Sequence, residues 1–311
     1  MATANFTAHE EPKTVQQLCS SEVTAGLHRH LIFTLVLNSF LSLTAFLGNA
    51  LILTALHKES SLHPPSKLLL RCLATTDLCV GLIAEPLAVT SWMSVVNEHW
   101  NICRFVQTVG PIIVHVLSGV SLWTLTAISV DRLLAMLLGL RYKQVVTLKR
   151  TYALVITFWV ARTVFAVMLL WKSLIVSLCS FVSTSLCLLT SIFSYIKIFL
   201  YLRQHQNQIQ DYVHQPNQVN QLNIERYKKA VSTAIWLQLT LVACYLPNGI
   251  VMALVANSGL SSSIYHAWSY ALTLVFLNSS LNPILYCWKI EEVRQAVKNT
   301  IRRVFCYCLP S

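Results

Sequence analysis

The chain has 311 residues, 55% of them apolar and only 11% charged, with 23 Lys and Arg against 12 Asp and Glu for a formal net charge of +11. A soluble domain carries about 25% charged residues, so a large soluble core is excluded and a chain that crosses a membrane several times is indicated. The basic excess calls for no nucleic-acid partner: it is the inner-leaflet bias of a membrane protein, and a basic tail favours anionic lipid.

In chain order, residues 1–29 are polar and contain no apolar core, so no cleavable signal peptide is read there and the first span is expected to act as signal-anchor. Asn5-Phe6-Thr7 is a glycosylation sequon, which puts Asn5 on the outer side if it is used. A span needs about 20 apolar residues. Runs of that length fall near His30–Leu56, Lys67–Trp92, Cys103–Leu134, Thr151–Trp171, Leu174–Leu202, Lys229–Ala256 and Tyr265–Trp288. The connection 204–226 is rich in Gln and Asn and reads as a polar loop or as frayed helix extensions. The chain thus divides into an outer segment 1–29, a seven-span domain 30–288, and an inner helix and tail 289–311. The fold class is an all-α seven-helix membrane bundle followed by a short amphipathic helix.

Charge orients the bundle. The 57–71, 131–150, 197–229 and 289–311 segments hold 18 of the 23 Lys and Arg. The positive-inside rule puts those segments in the cytoplasm and the N-terminus outside. Six of the ten cysteines lie inside spans, where thiols behave as small apolar groups. Cys19 and Cys103 are on the oxidising side and are a disulfide candidate, although sequence alone does not fix their connectivity. Cys306 and Cys308 follow the amphipathic stretch and are palmitoylation candidates, free thiols being the alternative.

Polar residues inside a bilayer are costly and usually have partners. Here they recur span by span: Gly48-Asn49 in the first, Leu73-Ala74-x-x-Asp77 in the second, and Ser121 followed by Asp131-Arg132 in the third. Trp159 and Arg162 are in the fourth, Tyr195 in the fifth, Cys244-Tyr245-Leu246-Pro247 in the sixth, and Asn278 with Asn282-Pro283-x-x-Tyr286 in the seventh. With these residues in this order, over roughly 30–305, the chain resembles the rhodopsin-like (class A) G-protein-coupled receptors.

The resemblance implies roles. Asp77, Ser121, Asn278 and Asn282 would surround a sodium ion, an allosteric modulator rather than a required cofactor; the alternative is that they only join helices. Asn278 and Asn282 would satisfy the polar groups that Pro283 leaves open, making the seventh span a bistable hinge. Arg132 would rest against Asp131 as a local ion pair and swing towards Tyr195 and Tyr286 on activation. Tyr245 takes the position of the sixth-span aromatic switch, ahead of Pro247.

Departures from the family pattern bear on the subtype. Leu133 stands after Asp131-Arg132 where the family usually has Tyr. Tyr227 stands where many members carry the acid that locks Arg132, and Glu225 is two residues away; ligand-independent signalling is therefore expected. The second outer loop is very short, Gln107 holds the usual third-span cysteine position, and Cys187 replaces the usual fifth-span proline. The short loop, the missing proline and the stretches LRYKQVVTLKR and YIKIFLYLRQH are similar to the melanocortin receptors, with some features shared by adenosine and cannabinoid receptors. The acidic trio of the melanocortin receptors is not reproduced: Gln107, Pro111 and Leu87 stand there, which argues against a melanocortin peptide.

An amine receptor would have Asp at Val114, and an opsin would have its Schiff-base lysine at Phe276, so neither ligand is supported. The remaining outer-half candidates are Glu85, Val114, His115, Ser118, Cys179, Asn248, Met252, Trp268, Leu272 and Phe276. Few polar groups among apolar walls suit a small apolar or weakly polar ligand. Glu85 is expected to pair with Arg104 or His115, the alternative being a cationic ligand. Arg162 faces either lipid or a neighbouring helix. No catalytic set, metal-ligand spacing or phosphate loop appears, so no enzyme is read. The competing readings are a seven-span transporter or channel, for which neither repeated halves nor a continuous polar path is seen, and a non-signalling receptor-like protein.

Overall fold

The structure is a computed structural model that describes residues 19, 28–58, 62–169, 174–212, 239–255, 257–258, 261–289 and 291–308. Asn5, Glu225, Tyr227 and the thiols of Cys306 and Cys308 lie outside the described residues.

The apolar runs form long helices because a backbone in hydrocarbon must satisfy its own hydrogen bonds. They are α1 (His28–Lys58), α2 (Pro64–Val96), α3 (Trp100–Leu138), α4 (Leu148–Leu169), α5 (Leu174–Tyr212), α6 (Leu239–Val255) and α7 (Ser262–Lys289). Six of these are long and apolar enough to cross a membrane, and α6 is a shorter apolar helix. An eighth helix, α8 (Glu291–Cys308), is amphipathic: Val293, Ala296, Val297 and Thr300 are buried while Gln295, Lys298 and Asn299 are exposed. Helix α5 continues to Tyr212, so the first part of the Gln-rich connection is a helix extension rather than a loop.

The pattern of exposure inverts that of a soluble bundle. On α1, Phe33, Val36, Phe40, Leu43 and Leu47 point outward, whereas Thr34, Asn38 and Asn49 are fully buried. The same side chains that would form a soluble core here face lipid, and buried polar groups join the helices instead. Along the α1–α7 seam, Asn38 Nδ2 donates to Thr273 Oγ1 at 2.8 Å, Thr44 Oγ1 to Ser280 Oγ at 3.1 Å, and Asn49 Nδ2 to the Ser279 carbonyl at 3.0 Å. Gly48 lets α1 approach Pro283 of α7: a Cβ there would lie 3.0 Å from Pro283 Cγ.

Helix α2 contains a π-helical turn over Val80–Ala84, in which the Glu85 N–H reaches back five residues to the Val80 carbonyl. The Gly81 carbonyl, thereby left without its usual intrahelical donor, accepts Ser42 Oγ from α1 at 2.7 Å. Gly81 is itself pressed against α1, where a Cβ would meet the Phe46 nitrogen and the Ser42 oxygen at 2.8 Å. Such turns are frequent at functional sites.

Helix α3 lies centrally, packing on α2, α4 and α5. It ends at Gly139, whose φ of 49° suits glycine. At the other end, Cys103 is bonded to Cys19, and the pair is packed with Leu31, Trp92, Val95 and Tyr265. The candidate disulfide is formed, and it pins residue 19 across the tops of α1, α2, α3 and α7. The bundle thus has a disulfide end and, opposite it, an α8 end.

Candidate functional site

At the disulfide end the helices enclose a cavity of about 250 Å³. Seven of the ten pocket residues expected from sequence line it: Val114, His115 and Ser118 from α3, Asn248 and Met252 from α6, Trp268 and Leu272 from α7. The other three do not. Phe276 is packed into the interior with Val80, Ala84 and Leu117, and Cys179 is exposed on the outside of α5. Glu85 is wholly buried but is not in the cavity wall.

The expected pairing of Glu85 with Arg104 or His115 does not form: neither carboxyl oxygen has a hydrogen-bond partner. A π-turn immediately precedes it, and no sequence signal announced that turn. Sequence reasoning also missed Ala88, Ser91 and Trp92 in the α2 wall of the cavity. Leu87, Gln107 and Pro111, recognised only as substitutes for acids, are wall residues too, and Gln107 Nε2 donates to Ser91 Oγ at 2.7 Å. Two polar atoms near the cavity have no partner, His115 Nε2 and Asn248 Oδ1.

Below the cavity, Tyr245 is buried and its hydroxyl donates to the Ser118 carbonyl at 3.3 Å. Next comes the buried carboxylate of Asp77. Ser121 Oγ donates to Oδ1 at 3.0 Å, Ser279 Oγ to Oδ1 at 2.9 Å, and Asn282 Nδ2 to Oδ2 at 2.7 Å. Three of the four expected residues thus meet; Asn278 makes no bond to Asp77 and its Nδ2 has no partner. Ser279 takes that place, because it lies one residue on and faces α2. The expectation that Asn278 and Asn282 cover the gap left by Pro283 is also corrected. The carbonyl that loses its donor is that of Ser279, four residues before the proline, and Asn49 of α1 fills it.

At the α8 end, the expected ion pair between Asp131 and Arg132 is not formed. Asp131 accepts Ser66 Oγ at 2.8 Å and the Tyr142 hydroxyl at 2.6 Å, while Arg132 is exposed. Tyr142 comes from the short helical turn Tyr142–Val145 after α3, so this carboxylate ties α2, α3 and the following loop together. Tyr195, Asn282 and Tyr286 border a small inner cavity with Ser129, and Tyr286 is buried with its hydroxyl unpartnered. Pro247 is half-buried in α6.

Arg162, expected to face lipid or a neighbour, is buried against α3. Among the described residues, no group of three or more His, Cys, Asp or Glu side chains could hold a metal ion.

A seven-helix membrane bundle with a cavity at one end, a polar core at mid-depth and the neighbouring Asp131 and Arg132 at the other end fits a seven-span receptor. The model of the 7 transmembrane receptor (rhodopsin family) matches residues 48–173 and 167–286. The chain is 25% identical to melanocortin receptor 4 of Danio rerio over 285 residues, covering 88% of this chain and 85% of that protein. To melanocortin receptor 5 of Rattus norvegicus it is 26% identical over 277 residues, 84% of this chain and 82% of the relative. The same protein of Mus musculus is 26% identical over 275 residues, with the same coverage. This chain belongs to the rhodopsin family of seven-transmembrane receptors: it is a multi-pass membrane receptor of the G-protein-coupled class and not an enzyme.

Proposed function

We propose that the protein lies in the plasma membrane with its disulfide end outside and receives a small, mostly apolar or weakly polar ligand in the 250 Å³ cavity. Binding there shifts the helices so that the α8 end activates a heterotrimeric G protein. The observation that carries this reading is the unbroken sequence of contacts from cavity to inner face. Ser118 lines the cavity and accepts Tyr245; Ser121, one turn further along α3, joins Asp77; Asp77 binds Asn282 next to Pro283 of α7; and Asn282 borders the inner cavity with Tyr286.

The relatives are named as melanocortin receptors, but a melanocortin is not the ligand proposed. The cavity wall offers Gln107, Pro111 and Leu87 where the sequence resemblance would place acids, and Gln107 is engaged by Ser91.

The Asp77 set suits a monovalent cation. It combines one carboxylate with two hydroxyls that can turn their oxygens inward, and the Asn282 side chain, which donates its Nδ2 to Asp77, keeps an amide oxygen that can face an ion. A bound sodium ion would supply a positive charge to the buried carboxylate. Asp77, Ser121, Ser279 and Asn282 would hold it, and their rearrangement on its departure would favour the hinge motion.

The test is basal cAMP, calcium and G-protein dissociation in cells expressing the chain, beside Arg132→Ala at matched surface level. Ligand-independent signalling that the variant abolishes is the expected result, since Arg132 is already exposed rather than paired with Asp131. Equal signals from both chains would sink the assignment of Arg132.

A further inference from the structure

Arg162 takes no part in the contacts described above, and its position is costly. It lies on α4 and is only 4% exposed. Arginine keeps its charge and carries five N–H donors. Among the described residues, Nη2 makes one long bond, 3.4 Å, to the His115 carbonyl, and Nε has no partner. The guanidinium carbon also stands 5.3 Å from the centre of the Trp123 ring. A bond of that length and a cation–π contact do not replace the water removed from a full charge.

No acid compensates it among the described residues. Asp77 is engaged by Ser121, Ser279 and Asn282, Asp131 by Ser66 and Tyr142, and the oxygens of Glu85 bond to nothing. Yet the bundle is shaped to receive the guanidinium. A Cβ on Gly119 would lie 1.8 Å from Nε and 2.1 Å from Cζ, so α3 carries a notch there. His115, Gly119 and Trp123 are four residues apart and share one face of α3. The cavity comes up to the same stretch of α3: His115 and Ser118 are in its wall, Gly119 and Arg162 lie just behind it, and His115 Nε2 is itself unpartnered.

We propose that the ligand of this cavity is a small amphiphilic carboxylate, with its apolar body against Val114, Met252 and Leu272 and its anionic end at His115 and the Arg162 guanidinium. The proposal rests on the receptor reading and narrows it to a ligand class. A carboxylate matches the guanidinium fork with two parallel bonds, and the low dielectric of the site strengthens the attraction. Arg162 stands one layer behind His115 and Gly119. Its long bond to the His115 carbonyl yields to a carboxylate, and the guanidinium already sits in the notch at Gly119, one residue from Ser118 of the cavity wall. The cavity wall holds no acid to compete for it. A cationic ligand, by contrast, would meet an uncompensated positive charge.

The experiment measures thermal stabilisation of the purified full-length receptor in nanodiscs by two probe sets: octanoate with octanamide and octylamine, and phenylacetate with phenylacetamide. Each carboxylate is expected to act at a concentration about tenfold or more below its amide, and octylamine not to act. Arg162→Lys keeps much of that preference, and Arg162→Gln removes it. Gly119→Ala retains the charge but displaces the guanidinium, and weakens the preference. If Arg162→Gln does not reach the membrane, wild type and Gly119→Ala decide. No carboxylate advantage in wild type, or an advantage undiminished in Arg162→Gln or, failing that variant, in Gly119→Ala, overturns the proposal. Basal signalling that depends on Arg132 is read separately. Its presence without a carboxylate preference refutes only the ligand class; a carboxylate preference without it refutes only the coupling.

Discussion

Asn49 Nδ2 donates at 3.0 Å to the carbonyl oxygen of Ser279, and Ser279 is the residue whose helical donor Pro283 has removed. The helix that carries its own break is therefore completed by a neighbour. Gly48, the residue before Asn49, leaves the space in which the Pro283 ring sits. Asn49→Ala should cost about 1–3 kcal/mol, the range for stranding a buried polar group, seen as a lower melting temperature. Thr54→Ala, which removes only an exposed bond within α1, should change it little. Equal losses in the two variants would argue against the bridging role.

Two glycines should respond differently to the same methyl group. At Gly81 the added Cβ would meet backbone atoms of α1 at 2.8 Å, and backbone cannot step aside. Gly81→Ala is expected to destabilise by about 2–3 kcal/mol and to lower surface expression. At Gly119 the obstruction is the end of the flexible Arg162 side chain, so Gly119→Ala should cost less than about 1 kcal/mol. Thermal melts of the two purified variants make the comparison.

The Cys19–Cys103 bond closes a loop with a sequence separation of 84. Its loss in Cys103→Ser should lower stability by about 2–5 kcal/mol. The double variant Cys19→Ser/Cys103→Ser should resemble the single one in a melting experiment, because one bond is lost in each.

Tyr142 and Ser66 hold the Asp131 carboxylate away from Arg132. Tyr142→Phe removes the shorter of the two bonds and leaves Asp131 free to pair with its neighbour. Basal G-protein activation, measured as nucleotide exchange at matched receptor density, should fall; Ser66→Ala should act in the same direction. A rise in both variants would mean that the Tyr142 contact restrains the receptor instead.

Sodium binding at Asp77 predicts a higher melting temperature in sodium chloride than in potassium chloride at equal ionic strength. At a few times the dissociation constant the gain is about 1 kcal/mol. Asp77→Asn should melt at the same temperature in both salts. A difference that persists in this variant would place the cation elsewhere.

The sequence by itself determined the class. Long apolar runs can only be helices in hydrocarbon, and the polar residues within them, Asn49, Asp77, Asp131-Arg132 and Asn282-Pro283, occur in an order that names the family. Seven cavity residues were also legible, because their place along each span sets their depth. What the tertiary structure decided was which polar group meets which. Ser279 rather than Asn278 reaches Asp77, Asn49 rather than Asn282 fills the gap at Pro283, and Ser66 with Tyr142 rather than Arg132 holds Asp131. Each outcome depends on the rotation of a helix about its axis and on how closely two helices approach. Both are set by side chains far apart in sequence, such as Gly48 against Pro283 and Gly119 against Arg162. The π-turn at Val80–Ala84 is of the same kind: the Gly81 carbonyl it frees is satisfied because Ser42 of another helix lies within reach.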